Sequence, residues 1–295
     1  MPPSQDGAAE SWVAHGARTP RAARPASSVV LVRDGADGVE TYLGYRPGAS
    51  PLGSIAFPGG SVEPEDDDPV PWFGPSPGDW ARRLDVLDHK EARRHVVAAL
   101  RELFEETGVL LAGADGLSIV ENCSSAEWMS IREALAGQDI GFGRLLAQRG
   151  LGLRTDLLRP LSRWISPDFA HRRFDTRYFA AALPVNQRAT LLRGKGVWAR
   201  WLAAGELVRE RETTALGDAA GQEDTVGLPL SRTTVPAVEF TLEKLATTRG
   251  AVAYLSHRRE PRCYRPQLVA GSGPHWRLEV DLAAASEGGG AARGR

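Results

Sequence analysis

The sequence predicts an α/β fold, a mixed β-sheet flanked by helices, and three observations carry that expectation. Residues 27–45 read as two strands around a turn, residues 88–106 as one long amphipathic helix, and residues 126–149 as two further helical patterns. Strands and helices mixed in this order argue for helices layered on a sheet. At 295 residues with 42% hydrophobic content, the chain can bury a substantial core, so one domain with additions is expected. It is placed at residues 25–284. Residues 1–24, rich in Ala, Arg, Pro and Ser, and residues 285–295, mostly Gly, Ala and Arg, read as disordered tails.

Taken in order, Ser27 to Val32 and Thr41 to Tyr45 have the β-branched and aromatic content of strands, separated by Asp34-Gly35-Ala36-Asp37-Gly38. Ser54 to Gly60 then reads as a short strand running into a tight glycine turn, where a backbone carbonyl can approach a ligand with no Cβ in the way. Residues 67–87 place Pro69, Pro71, Gly74, Pro75, Pro77 and Gly78 around Trp72, Phe73 and Trp80. That density of breakers excludes a long regular element from the first half of the segment. Its aromatics either cover part of a ligand or staple the loop to the body. The long helix starts near Asp88, with Glu91 at capping-box spacing, and runs through Val96, Val97 and Leu100. It stops at Thr107-Gly108, since glycine tolerates the left-handed conformation that ends a helix. Glu127–Ala136 and Phe142–Gln148 carry two more helical patterns.

Within the long helix lies the run Arg101-Glu102-Leu103-Phe104-Glu105-Glu106-Thr107-Gly108-Val109. Glu102, Glu105 and Glu106 share one face at i, i+3 and i+4, while Leu100, Leu103 and Phe104 turn the other way. Like charges so close repel unless a cation sits among them, and hard oxygen donors suit Mg²⁺ or Mn²⁺ rather than zinc. Taken alone, the three glutamates are also compatible with a solvated acidic face. The helix stop after them and the glycine turn upstream favour a site.

These residues resemble the signature of Nudix hydrolases: a glycine, five residues, a glutamate, seven residues, then Arg-Glu-aliphatic-x-Glu-Glu-x-Gly-aliphatic. Gly60 stands at the start, Asp66 replaces the first glutamate, and Arg101 to Val109 matches every fixed position of the second half. Asp66 and Arg101 are 35 positions apart where the signature has 8, so about 27 residues are inserted. The chain is similar to a subgroup with such a split box, which includes the peroxisomal coenzyme A diphosphatase of mammals. Residues 24–46, 159–167 and 172–179 look like further strands of that subgroup, and the resemblance spans about residues 25 to 247.

The resemblance implies a Nudix α/β/α sandwich around a mixed sheet, with an insertion inside the box and extra helices. It implies a phosphoanhydride hydrolase dependent on Mg²⁺ or Mn²⁺, with Glu102, Glu105, Glu106 and the Gly60 carbonyl as metal ligands. Arg101 would orient the carboxylates. Glu105 is the first choice for general base, with Glu206 and Glu239 as outsiders, and the role of Asp66 is open. Substrate contacts are expected from Arg46, Phe57, Arg172, Arg173 and Asp175. Arg46 suits a phosphate by bidentate pairing, or makes a surface ion pair. Arg173 and Asp175 either line the pocket or pair with each other. Coenzyme A or its acyl esters rank first as substrate, from the split box and the Arg-Phe-Asp-Thr strand. Arg46 and Gly53 fit the known coenzyme A motif loosely, but its second arginine is missing, which keeps ADP-ribose or an NADH-type dinucleotide as the alternative. A non-catalytic nucleotide-sensing module and a nucleotide-sanitising enzyme are further readings.

The formal net charge of −1 gives no global attraction to nucleic acid or membrane, so a small nucleotide is the expected partner; a homodimer is compatible with the sequence. Two cysteines without ligand spacing disfavour a disulfide framework or zinc site and suggest a reducing cytoplasm. No apolar run reaches the roughly 18 residues of a membrane span. The six histidines, at 15, 89, 95, 171, 257 and 275, show no mutual ligand spacing.

Overall fold

One strand, β1 (Arg24–Gly35), organises the molecule. Ala26 to Val32 are buried without a break, Val29 and Leu31 facing one hydrophobic core and Val30 and Val32 the other. Side chains of a strand alternate between its faces, so an unbroken buried run requires a covering layer on each. The computed structural model describes residues 1–16, 18–48, 50–192, 196–270 and 276–282. The expected tail at 285–295 and His275 lie outside the described residues.

Along one edge β1 pairs in parallel with β9 (Phe174–Ala182), from Arg24 to Val32. The other edge is divided. Ala26–Ser28 pair antiparallel with β4 (Gly59–Ser61), and Val32–Gly35 with β2 (Gly38–Tyr45). The mixed eight-stranded sheet runs β10 (Ala199–Ala203), β2, β1, β9, β8 (Arg159–Ile165) and β11 (Arg262–Tyr264), with β3 (Ile55–Ala56) on β2. One face carries α2 (Pro77–Leu84), α3 (His89–Thr107), α4 (Ala126–Ala136) and α5 (Phe142–Gln148). The other carries α6 (Ala204–Arg209), α7 (Ala215–Ala220), α8 (Leu230–Thr233), α9 (Pro236–Ala246) and α10 (Ala251–Ser256). This is the expected α/β/α sandwich. Among the described residues no helix is long and apolar enough to cross a membrane.

The long helix α3 begins and ends as the sequence predicts. The Asp88 carboxylate accepts from the Lys90 N–H at 2.8 Å, and Gly108 closes the helix at φ 74°. Glu91 does not complete a capping box, because it turns to Arg177 at 3.5 Å.

Within the stretch whose composition suggests a tail, residues 3–14 form regular structure. A 3₁₀ turn (Pro3–Gln5) leads into α1 (Asp6–Ala14), whose Ala8 and Ala9 are buried against Phe169. Trp12 and the hairpin of β12 (Gln267–Ala270) and β13 (Trp276–Glu279) close over the same cluster. A helix that buries mainly two alanines leaves almost no apolar period to read.

The segment 67–87 is stapled down. Its β5 (Trp72–Phe73) pairs in parallel with β7 (Gly152–Arg154), which also pairs with β6 (Ala112–Gly113). Trp80, on the Ser76-capped α2, is fully buried and meets Phe179 edge-on at 5.9 Å. Trp80→Ala should therefore cost about 3–5 kcal/mol of stability. Leu87→Ala, at a fully exposed position just beyond, should stay within about 0.5 kcal/mol. Urea denaturation of the two variants measures the contrast, and equal small losses would contradict the anchoring.

His95 on α3 is buried against β1, with the Ser27 hydroxyl 3.1 Å from Nδ1. Burial first, and then the charge of Arg177, lowers its pKa to about 3. In the unfolded chain it titrates near 6.5, so below that pH the unfolded state binds the extra proton. Stability should be full above pH ~6.5 and fall by up to about 1.4 kcal/mol per pH unit as pH drops from about 6 to 4. His95→Gln should flatten that slope in urea titrations run across this range; an unchanged slope would remove His95 as its cause.

Candidate active site

The site forms where α3 passes the turn between β3 and β4. Arg101 lies at its base, buried, and all five of its N–H donors are used. Nε and Nη2 hold the two Asp66 oxygens at 2.9 and 3.1 Å, and Nη2 also donates to the Ser61 carbonyl at 2.9 Å. Nη1 reaches Glu102 at 2.7 Å and Glu105 at 3.0 Å. Asp66 is itself buried and accepts from the Glu63 N–H at 2.8 Å. The 35 positions that separate Asp66 from Arg101 in sequence close to a direct ion pair in space.

Glu106 faces the turn. Its Oε2 accepts from the Gly59 N–H at 3.0 Å and from Arg46 Nη2 at 2.7 Å. The same Arg46 nitrogen donates to the carbonyls of Phe57 at 3.2 Å and Gly59 at 2.6 Å. Glu102 lies against Gly60 so closely that a Cβ there would fall 2.5 Å from the carboxylate oxygen, so any larger residue would have to displace that carboxylate. Burial, opposed by Arg101 and reinforced by Glu106 and Glu105, pushes the Glu102 carboxyl up to about 8.

The three glutamates and Arg46 line a cavity of about 210 Å³, whose remaining wall includes Tyr42, Tyr45, Leu191, Leu192 and Trp198. A second cavity of about 270 Å³ shares Tyr45, Arg46 and Glu106 with the first and continues to Ser50, Gly60, Arg172 and Phe174. The donor set, three carboxylates crowded on one wall beside a glycine cradle, fits a hard divalent cation in its chemistry. Among the described residues, however, no three His, Cys, Asp or Glu side chains converge closely enough to hold an ion as they stand. Their oxygens are turned to Arg101, Arg46 and the Gly59 N–H.

Of the residues singled out in sequence, Glu102, Glu105, Glu106, Arg101, Gly60 and Arg46 are brought together, and Arg172 borders the second cavity. Others are not. The Phe57 ring is buried in the core against Tyr178, and only its backbone carbonyl meets Arg46. Arg173 bonds Asp168 at 2.6 Å and the Arg21 carbonyl at 2.6 Å, and Asp175 takes Arg163 Nε at 2.7 Å. They neither pair with each other nor line either cavity. Glu206 is exposed on α6, and Glu239 lies on α9 close to the Met1 ammonium, and neither lines either cavity. Sequence reading missed Tyr42 and Trp198. Tyr42 is two positions before Gly44 on one strand, a spacing that places both on the same face, whereas nothing local marked Trp198.

No protein-family model matches the chain, and no curated protein matches it. Solved structures do. A NUDIX hydrolase from Alicyclobacillus acidocaldarius aligns over 83% of this chain and 99% of its own, with 23% identity and a TM-score of 0.61. A MutT/nudix family protein from Enterococcus faecalis aligns at 15% identity over 65% of this chain and 48% of its own, TM-score 0.33. The NUDIX domain of Shewanella oneidensis NrtR, complexed with ADP ribose, aligns at 12% identity over 76% and 90%, TM-score 0.37. The first of these shows that the chain adopts the Nudix fold.

Removing Asp66 should strip the buried Arg101 guanidinium of its two-bond partner and leave it only Glu102, Glu105 and the Ser61 carbonyl. Asp66→Ala is expected to cost about 1.5–3 kcal/mol. In a double-mutant cycle with Arg101→Ala, the two losses should fall well short of adding. A cost under about 1 kcal/mol for Asp66→Ala would show that the pair does not anchor the helix.

Proposed function

We propose that this chain hydrolyses a pyrophosphate bond that joins a nucleoside to a second organic group, in a reaction dependent on Mg²⁺ or Mn²⁺. The observation that carries the reading is the meeting of Glu102, Glu105, Glu106 and Arg46 on the wall of one cavity, within a Nudix fold. The carboxylates of the three glutamates would hold the metal. When bound, it would neutralise phosphate charge and make water a stronger nucleophile.

The chain's own groups have separable tasks. Arg101 positions Glu102 and Glu105 from beneath, and its own partners, Asp66 and Ser61, keep it fixed. Arg46 pairs with a phosphate oxygen, for which its planar fork is suited. Glu105 takes the proton of the attacking water as the new P–O bond forms and the bridging P–O bond breaks, its electrons leaving with the departing phosphate. The alternative general bases line neither cavity. A sensing module without catalysis is the weaker reading, because all three glutamates are retained.

Glu106→Gln should leave thermal stability nearly unchanged and lower turnover by at least about a hundredfold at saturating Mg²⁺. Near-normal turnover would remove the assigned role. A panel of pyrophosphates, with products resolved by mass, separates hydrolase from sensor.

For substrate, two cavities meeting at Arg46 and Glu106 suit a molecule with an organic group on each side of its pyrophosphate. Coenzyme A or an acyl-coenzyme A is our first assignment. Its 3′-phosphate requires a cation, and with Arg173 committed to Asp168, the free candidate is Arg172 at the second cavity. Coenzyme A should then be cleaved faster than its dephosphorylated form, and Arg172→Ala should erase the difference, mainly through KM. Equal rates in the unaltered protein, or faster cleavage of ADP-ribose, would move the assignment to an ADP-ribose or dinucleotide pyrophosphatase.

A further inference from the structure

A recess of about 930 Å³ lies between α9, α10 and the edge strand β11, and shares no lining residue with either cavity of the candidate active site. Its charge is one-sided. Lys244, Arg249, Arg258, Arg259 and Arg262 line it against a single carboxylate, Glu260. In a chain whose formal net charge is −1, that is a local concentration of cations, not a share of a general excess.

The buried and half-buried arginines at 33, 46, 101, 154, 163, 173 and 232 are each tied to a carboxylate, whereas exposed ones such as Arg172 are not; what sets the recess apart is that several unpaired cations gather in one place. Among the described residues, Arg249, Arg258 and Arg262 make no ion pair or side-chain hydrogen bond. Two further cations are held in place without being neutralised. Arg259 lies 4.2 Å over the Tyr254 ring and donates to the Tyr254 carbonyl at 2.7 Å, and Lys244 lies 5.2 Å over Phe240. Aromatic packing underlies them, since Tyr264 stacks on Trp164 at 4.6 Å and meets Phe240 at 5.2 Å.

Like charges gathered in a recess repel one another, and the field they focus raises the local concentration of anions. Guanidinium groups match phosphate oxygens in geometry, and several can share a ligand with more than one phosphate. We propose that this recess is a second ligand site, for a small molecule carrying two or more linked phosphates. A nucleic-acid strand fits less well. Tyr254 and Tyr264 are buried and present no open ring on which bases would stack, and the chain's overall charge does not attract a long polyanion.

The proposal does not depend on the hydrolysis assigned above, and its test is a binding measurement. Sodium tripolyphosphate is titrated calorimetrically into the whole chain at low salt with EDTA present, so that no divalent metal contributes. Arg258→Ala/Arg262→Ala should weaken binding at least about tenfold. Arg258→Lys/Arg262→Lys should retain most of it, Arg46→Ala should leave it intact, and added salt should reduce it. Circular dichroism of the alanine variant confirms that loss of binding is not loss of fold. The proposal is overturned if the unaltered chain binds no tripolyphosphate, or if Arg46→Ala removes binding that the recess variant keeps. It is equally overturned if a single-stranded 20-mer displaces tripolyphosphate with more than tenfold tighter affinity.

Discussion

The arrangement of the candidate site depends on one buried ion pair, Arg101 with Asp66. A guanidinium taken out of water loses several kcal/mol of hydration, and only complete replacement of its hydrogen bonds offsets that loss. Asp66 and Ser61 supply three of the five bonds, and Glu102 and Glu105 supply the others. The same cation therefore ties the helix to the β4 segment and partly relieves the repulsion between two carboxylates. Buried pairs of this kind are weak contributors to net stability but strong constraints on geometry, and here the constraint falls on the rotamers of the glutamates.

The sheet supplies the second constraint. Because β1 is covered on both faces, its register against β9 and β4 cannot slip by one residue without moving Val29 and Leu31 out of one core and into the other. That register sets Gly60 opposite Ser27 and Gly59 opposite Ser28, and so fixes the turn beside Glu102 and Glu106. Arg46, at the end of β2, closes the group by bonding both the turn and Glu106.

Much of this was legible in the sequence, and the legible part shares a physical character. The glutamate face, the Asp88 cap and the Gly108 stop are short-range features, and they appear in α3 where spacing placed them. The strands around Val29 and Tyr42 were readable from side-chain type, and those around Trp164 and Tyr178 from the family resemblance. Features set by distant partners were not readable. In sequence Arg173 and Asp175 read as residues that line a pocket or pair with each other, yet Asp168 and Arg163 claim them. Phe57 adjoins the glycine turn in sequence, but its ring packs into the core against Tyr178. The α1 helix was missed because its burial depends on Phe169 and Trp276, far along the chain.

The 27-residue interruption of the motif is tolerated for a related reason. Lengthening a loop between two fixed ends costs little, since closure entropy rises only with the logarithm of length. The ends here are fixed independently, by the Asp66 pair on one side and the Asp88 cap on the other. Between them the segment carries its own anchors in Trp80 and β5, and none of its residues lines either cavity of the site. The insertion is thus decoupled from the carboxylates. The side chains that do line the cavities are Tyr42, Leu191, Leu192 and Trp198 on one side of Arg46 and Arg172 on the other, all supplied from outside the insertion.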